Sequence, residues 1–509
     1  MKAFKKIAAA GMCLAVIFSA TACDEELPVN SNMTSSAPTL NTTAAANQQG
    51  SDNTAGSDFE YKPIKDAAIP LIDKLDNKDL NIEKRIKWMA WYQLDESTPA
   101  AELFKAAYGV PNDGDDSSAT GRIFEYISVG AYKDRFDKLA TAISVDDSPD
   151  LFPFEIADFP YGIVNNRYQP VDDMINIDSD KWRATKKLMD QFVISGKHYV
   201  VFNEISMNNL MWYRKSNIEA IGAQDPQELF NQGKWDWDAF LELARKWHDS
   251  GTDDNPRFVT DGYDAESEFV VSTGVPMVGF NGKELKNNLH DPAVERAMSL
   301  VATLQSENLR YPRHELNNYD TNYNAWANGT NLFFCEGVWR YESDLQYYRK
   351  KYKWADDEIK VVPFPKDPLS DKYYVQLKQD AFMYVSGSKN KEGVQAWIDC
   401  WATAANDETI MAAQHDQLIA NPKMGYTEEL LSFIESLKAI DGSSPVTPIV
   451  EYKHGLGPKV FDSNTAESPV VALTSHVYLQ GESYSQLREA NEGAINLAIV
   501  DINQDLLKY

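Results

Sequence analysis

Between residues 85 and 154 the chain alternates two patterns that fit together in few ways. The run RIKWMAW, Arg85 to Trp91, is short and rich in apolar residues, as expected of a strand covered on both faces. In TPAAELFKAAYG, which follows, Thr98 can cap, Pro99 fits the first turn, Leu103, Phe104 and Ala107 share a face, and Gly109 stops the helix. Arg122 to Ser128 reads as a second strand. A helix around Tyr132 to Ser144 carries the stripe Phe136, Leu139, Ala140 and Ile143, and Pro149 to Phe154 reads as a third strand. Strand, helix, strand, helix, strand implies a parallel sheet with right-handed crossovers, and so an α/β fold.

The alternation continues. Gly196 to Trp247 holds a strand, an apolar stretch and a helix capped by Asp236, with Phe240, Leu243, Ala244 and Trp247 on its inner face. NLHDPAVERAMSLVATLQSENL is another amphipathic helix. GTNLFFCEGVWRYESDLQ reads as strand, sharp loop and helix, IKVVPFPKDP as a strand ending in a proline-rich loop, and DAFMYVSGSKNKEGVQAWIDCWAT as strand, turn and helix. No internal repeat is visible. About 450 residues, 43% of the chain being hydrophobic, suit two cores better than one.

The N-terminus belongs to neither core. Lys2, Lys5 and Lys6 precede the apolar run Ile7 to Phe18, which is too short to span a bilayer and reads as an export signal. Ser19, Ala20, Thr21 and Ala22 form a cleavage zone, and a cut after Ala22 leaves Cys23 at the new N-terminus. That stretch resembles the lipobox of bacterial lipoproteins, with Ala20 where leucine is usual; a plain secretory cleavage site is the other reading. From Asp24 to about Phe59 the chain is mostly Ser, Thr, Asn, Ala and Gln and cannot bury enough surface to order itself. Cys23 is therefore expected to carry lipid, with a leash behind it. Of the four cysteines only Cys335 and Cys400 remain for the folded part, each in an apolar segment that favours a buried thiol over a disulfide.

The formal charge is −27, or −30 once the three signal lysines are removed (−27 minus 3), which disfavours nucleic acid and anionic membrane surfaces as partners. No later run approaches a membrane span. No G-x-S-x-G elbow, H-E-x-x-H, C-x-x-C or phosphate loop occurs, and no cofactor or metal is expected. NDGDDSS, Asn112 to Ser118, looks like a calcium loop but lacks the later glutamate, and is read as a solvated turn.

The series Gly196 to Val200, Leu210 to Lys215, Trp237 to Phe240, Gly329 to Trp339, Val361 to Pro365 and Tyr384 to Trp397 resembles the extracellular solute-binding proteins of bacterial ABC importers, in the maltose- and oligosaccharide-binding family. The likeness runs in order from Arg85 to the C-terminal helices. It implies a two-lobe, Venus-flytrap fold of the periplasmic-binding-protein kind, with hinge crossovers and a ligand in the interlobe cleft. The expected division is a signal at 1–22, lipidated cysteine and linker at 23–60, and a binding domain at 61–509. Its first lobe is about 80–205 plus part of 375–440, and its second about 206–374 plus the C-terminal helices. The resemblance also implies a monomeric, non-enzymatic receptor on the extracellular face of the cytoplasmic membrane, serving permease subunits, in a bacterium without an outer membrane.

Ligands of open α/β sheets lie beyond the carboxyl ends of the strands. The loops after the first and third strands supply Trp91, Tyr92, Gln93, Phe154, Glu155 and Asp158, a mixture of flat rings and hydrogen-bonding groups that suits sugar. Trp91 as the buried end of a strand is the alternative. Trp339, in EGVWRY, matches the position where maltose-binding relatives stack a tryptophan on sugar, and Arg340 beside it could bind hydroxyls or a uronic carboxylate, or form a structural ion pair. Asn208, Glu268 and Asp380 stand at lobe crossings or strand ends as candidate polar contacts. Trp247, Trp326, Trp397 and Trp401 are expected in packing, and Phe461 is the nearest aromatic to the place of a further family tryptophan. Twelve tryptophans favour carbohydrate. A same-fold receptor for a peptide, a polyamine or a modified lipid precursor, and a secreted glycoside hydrolase, are the competing readings.

Overall fold

The computed structural model describes residues 66–111, 121–183, 185–207, 209–262, 265–312, 323–421, 424–438, 443–462, 465 and 467–509. Cys23, the linker, Asn208 and Asn112 to Ser118 lie outside them.

The opening alternation folds as expected: β1 (Ile86–Ala90), α1 (Pro99–Tyr108), β2 (Phe124–Ser128), α2 (Arg135–Ser144) and β3 (Leu151–Pro153). Thr98 accepts from the Ala101 amide and Gly109 closes α1 at φ +77°. The three strands are parallel with β1 central. Two long strands complete the sheet, β4 (Val200–Met207) and later β9 (Tyr373–Tyr384), paired antiparallel from Met207↔Leu377 to Val200↔Met383 with an irregularity between Asp380 and Ala381. The C-terminal end of β9 also pairs with β3, and its start pairs with a strand at Val446–Ile449. Trp88, fully buried, meets Phe382 edge-on at 5.7 Å.

The second sheet comprises β5 (Leu210–Arg214), β6 (Phe258–Gly262), β7 (Asn331–Glu336) and β8 (Ile359–Val362), in the order β8-β5-β7-β6. Its core holds four fully buried indoles, Trp212, Trp235, Trp247 and Trp326. Each donates to a backbone carbonyl, of Glu336, Pro363, Phe258 and Trp212 respectively, so the polar end of each ring is satisfied without water. Trp247 packs from the helix Trp237–Asp249, where Asp236 accepts from the Ala239 amide. Trp326 takes the packing role expected of it, and Trp397 and Trp401 do so in the helix Lys391–Ala405. Cys335 and Cys400 are both buried free thiols.

Strands β4 and β9 link the sheets twice, and a third tie lies after Ile449. There Glu451 accepts from the amides of Met277 and Val278, while Tyr452 inserts its ring among Phe159, Phe192 and Phe280 at 5.5 to 6.2 Å and donates to the Gln191 carbonyl at 2.8 Å. Truncation of Tyr452 to Ala should therefore cost about 3–5 kcal/mol through the cavity it leaves, and Tyr452→Phe about 1 kcal/mol through the lost hydrogen bond. Urea unfolding curves of the two variants measure both; equal losses would show that the hydroxyl, not the ring, supplies the stability.

Candidate functional site

The carboxyl ends of β1, β2 and β3 converge on one polar and aromatic wall. Trp91 leaves β1, Tyr132 follows the turn after β2, and Glu155 follows β3. The rings of Trp91 and Tyr132 meet edge to face at 4.9 Å, and Tyr92 lies 5.4 Å from Trp91. Arg135, from the first turn of α2, lays its guanidinium 3.7 Å above Tyr132 and 4.2 Å above Phe136. Tyr132 donates to Glu155 at 3.0 Å, and Arg135 stands 3.5 Å from the same carboxylate. A weakly hydrated planar cation between ring faces loses little on burial, so Arg135 can stiffen the wall from behind. Its front is open: Tyr132 is 41% exposed, and Trp91, Tyr92 and Glu155 are partly so.

The other first-lobe candidates have different surroundings. Gln93 is exposed and accepts from Arg122 at 3.0 Å. Phe154 is buried against Phe159 and Phe192. Asp158 is 1% exposed, with one oxygen on Arg167 and the other accepting from Tyr168 at 2.8 Å. Burial pushes its carboxyl up to about 6 against the pull of Arg167 and Tyr168. The structure thus joins Trp91, Tyr92 and Glu155 in one cluster and sets Phe154 and Asp158 behind it.

In the second lobe, β7 ends at Glu336 and a helical stretch begins at Val338, capped by Gly337. The Trp339 indole folds back over Gly337, where any Cβ would overlap the ring. Trp339 is partly exposed. Arg340 donates to Asp344 at 3.1 Å and its Nε lies 3.8 Å from the buried Glu336 carboxylate. Glu268 is buried on the helix Ala265–Val271. With Asp261, Glu266 and Glu336 it lies close enough to Cys335 to raise the thiol further, after burial itself. Asp380 sits on β9 opposite Glu204, at the irregularity in the crossing pair. Phe461 is partly buried and packs on His454 at 4.5 Å.

Tyr132 and Arg135 escaped the sequence reading, although both follow the second strand, and the rule that selected Trp91 and Glu155 applies to that loop equally. Among the described residues no group of three His, Cys, Asp or Glu side chains is placed to hold a metal, and no helix is long and apolar enough to cross a membrane.

This arrangement is that of a two-lobe receptor for a solute. A family model described as bacterial extracellular solute-binding protein matches residues 117–430, well over half of the chain, and the chain belongs to that family. The ABC substrate-binding protein of Listeria monocytogenes, solved with cycloalternan, superposes with a TM-score of 0.55 at 16% identity over 82% of this chain and 98% of its own. The GacH receptor of Streptomyces glaucescens, solved empty and with acarbose, gives 0.54 at 15% over 84% and 99%. UgpB of Mycobacterium tuberculosis, in complex with glycerophosphocholine, gives 0.55 at 13% over 82% and 98%. At such identities the likeness is one of fold. No curated protein sequence matches the chain. The family and these neighbours are binding proteins, not enzymes.

The environment of Asp158 yields a pH dependence. An unfolded aspartate titrates near 4, so between about pH 4 and 6 the native state holds a proton that the unfolded chain has lost. Asp158 therefore contributes stability at low pH that is lost as the pH rises through about 6, on the order of 3 kcal/mol. Asp158→Asn should flatten that part of the stability profile between pH 4.5 and 7.5, read from urea midpoints; an unchanged slope would assign the titration elsewhere.

Proposed function

We propose that the protein is the substrate-capturing component of an ABC importer, lipid-anchored through Cys23 to the extracellular face of the cytoplasmic membrane, and that it delivers an oligosaccharide to the permease. The observation that carries the ligand class is the first-lobe wall of Trp91, Tyr132, Arg135 and Glu155, with Trp339 and Arg340 at the equivalent strand end of the second lobe. Sugar rings have apolar C–H faces and a polar rim, and rings beside carboxylates and guanidinium groups complement both. Cycloalternan and acarbose in two structures of the same fold support this reading.

In this reading Trp91, Tyr132 and Trp339 are stacking platforms, and Tyr92, Gln93, Glu155 and Arg340 hydrogen-bond hydroxyls. Phe154 and Asp158 back the wall. Asn208, Glu268 and Asp380 are further candidates for polar contact with the ligand. The lobes divide at the β4–β9 crossings, about 80–205 with part of 375–440 against about 206–374 with the C-terminal helices. Ligand closes them by bending at those crossings, because contacts made only in the closed state supply the differential affinity. The buried acids around Cys335 favour one rival, a cationic ligand such as a polyamine.

Calorimetry with a panel of oligosaccharides and polyamines separates these ligands. Trp339→Ala should weaken oligosaccharide binding by about 2 kcal/mol, roughly 30-fold, while leaving the melting temperature of the empty protein nearly unchanged. A large loss of stability with affinity intact would retire the stacking role. For the anchor, Cys23→Ala should shift the protein from the membrane fraction to the medium. Undiminished membrane retention would refute lipidation at that residue.

A further inference from the structure

The helical pair Glu408–Ala420 and Glu428–Lys438 is rooted in the first lobe and touches the second. At its root Asp407 pairs with Lys74 at 2.9 Å, and the Asn406 amide donates to the carbonyls of Lys181 and Ala402 at 2.6 and 2.9 Å. His415 staples the two helices together, with Nδ1 2.9 Å from Glu435 and Nε2 3.2 Å from Glu428. At the far end, Phe433 packs on Phe230 of the second lobe at 5.8 Å. The loop between the helices reaches further still. Tyr341 donates to the Gly425 carbonyl at 2.6 Å, and its ring lies 4.8 Å from Tyr426 and 5.2 Å from Trp212. Tyr341 is two residues beyond Trp339 in the same helical stretch, and it opens the π-helical turn Tyr341–Leu345.

Two features set this seat apart from ordinary core. Gly425 has φ +64°, a backbone region that favours glycine, and a Cβ on it would have to displace the side-chain ends of Gln346 and Arg349. Beneath it, Gln346 is 3% exposed, yet neither its Oε1 nor its Nε2 has a hydrogen-bond partner among the described residues. Buried side-chain amides in permanent cores are nearly always satisfied, and one with no protein partner at either end opposes the contact that buries it. When the loop lifts, water satisfies the amide. The seat therefore combines an attractive half, Tyr341 with Tyr426 and Gly425, and an opposing half, Gln346, which keeps it close to balance.

We propose that residues 408–438 form an interlobe clamp, which seats on the helix carrying Trp339 as the lobes close on ligand and lifts as they open. The proposal rests on the hinge-closing receptor reading, but its decisive test needs no ligand. Hydrogen exchange, followed by mass spectrometry on the full chain, reports the seat directly through peptides covering 341–352 and 424–438. Gln346→Met keeps the volume and removes the opposing amide, and should slow exchange there about fivefold. Gly425→Val blocks the seat and should accelerate it about tenfold, with the melting temperature within about two degrees of the parent. Unchanged exchange in Gln346→Met, or a collapse of global stability in Gly425→Val, would make the loop a fixed part of the core and overturn the proposal. Adding a mixture of malto-oligosaccharides should protect the same peptides in the parent and less in Gly425→Val. Lack of binding by that mixture would count against the sugar reading alone, because the ligand-free comparison decides the clamp.

Discussion

The antiparallel ladder between β4 and β9 is the constraint on which the rest of the molecule depends. Its pairs run from Val200↔Met383 to Met207↔Leu377, and each strand then leaves the first sheet for the second, β4 into β5 and β9 back from β8. Two strands bonded side by side resist shear and stretching far more than they resist bending or twist. The irregularity between Asp380 and Ala381 interrupts that ladder at one point, and such points are where paired strands bend most readily. Under the proposed hinge closure, two lobes joined in this way would keep their lateral register while their mutual angle changes. The Tyr452 cluster, which seals Phe159 and Phe192 against Phe280, adds a compact apolar contact on the third connection.

Placement of the site follows from the same topology. A parallel strand must end in a loop on the same edge as its neighbours, so β1, β2 and β3 deliver Trp91, Tyr132 and Glu155 to one place although they are far apart in sequence. In the second sheet β6 and β7 are likewise parallel, and their shared edge carries Trp339 and Arg340 beside buried acids. The two edges differ in stiffness. The first is locked by edge-to-face rings, a buried guanidinium and the Tyr132–Glu155 hydrogen bond, whereas the second stands on a short helical turn that passes into a π-helical segment.

Local chemistry made much of this legible in the sequence. Thr98 and Asp236 announced their helices because a capping oxygen acts within three residues, and Trp247, Trp326 and Trp397 declared themselves as core by their place in apolar patterns. Phe154 and Asp158 showed the limit of the strand-end rule. Their position in sequence is that of site residues, but whether a side chain turns to the opening or away from it depends on Phe192, Arg167 and Tyr168, which arrive from later segments. Arg135 was hidden for the opposite reason: a charged residue in the first turn of a helix reads as solvated surface, and only the fold supplies the two rings that cover it. The seat of Gly425 on Gln346 joins residues 79 positions apart (425 − 346) and leaves no trace in local pattern.

Unequal stiffness has a consequence for recognition under the proposed function. A preorganised surface loses little conformational entropy when a ligand arrives, so the first-lobe wall is suited to initial capture. A platform on a movable lobe makes its contact only after closure, so its contribution appears as a bias toward the closed state and not as affinity for the open one. Trp91 and Tyr132 would then set which ring faces are accepted, and Trp339 would set how firmly the lobes stay shut. The loop at Gly425 bonds to Tyr341, two residues from Trp339, so the proposed clamp and the platform share one helical stretch. Capture and closure are in this way separable in the residues that carry them, although they act on one ligand.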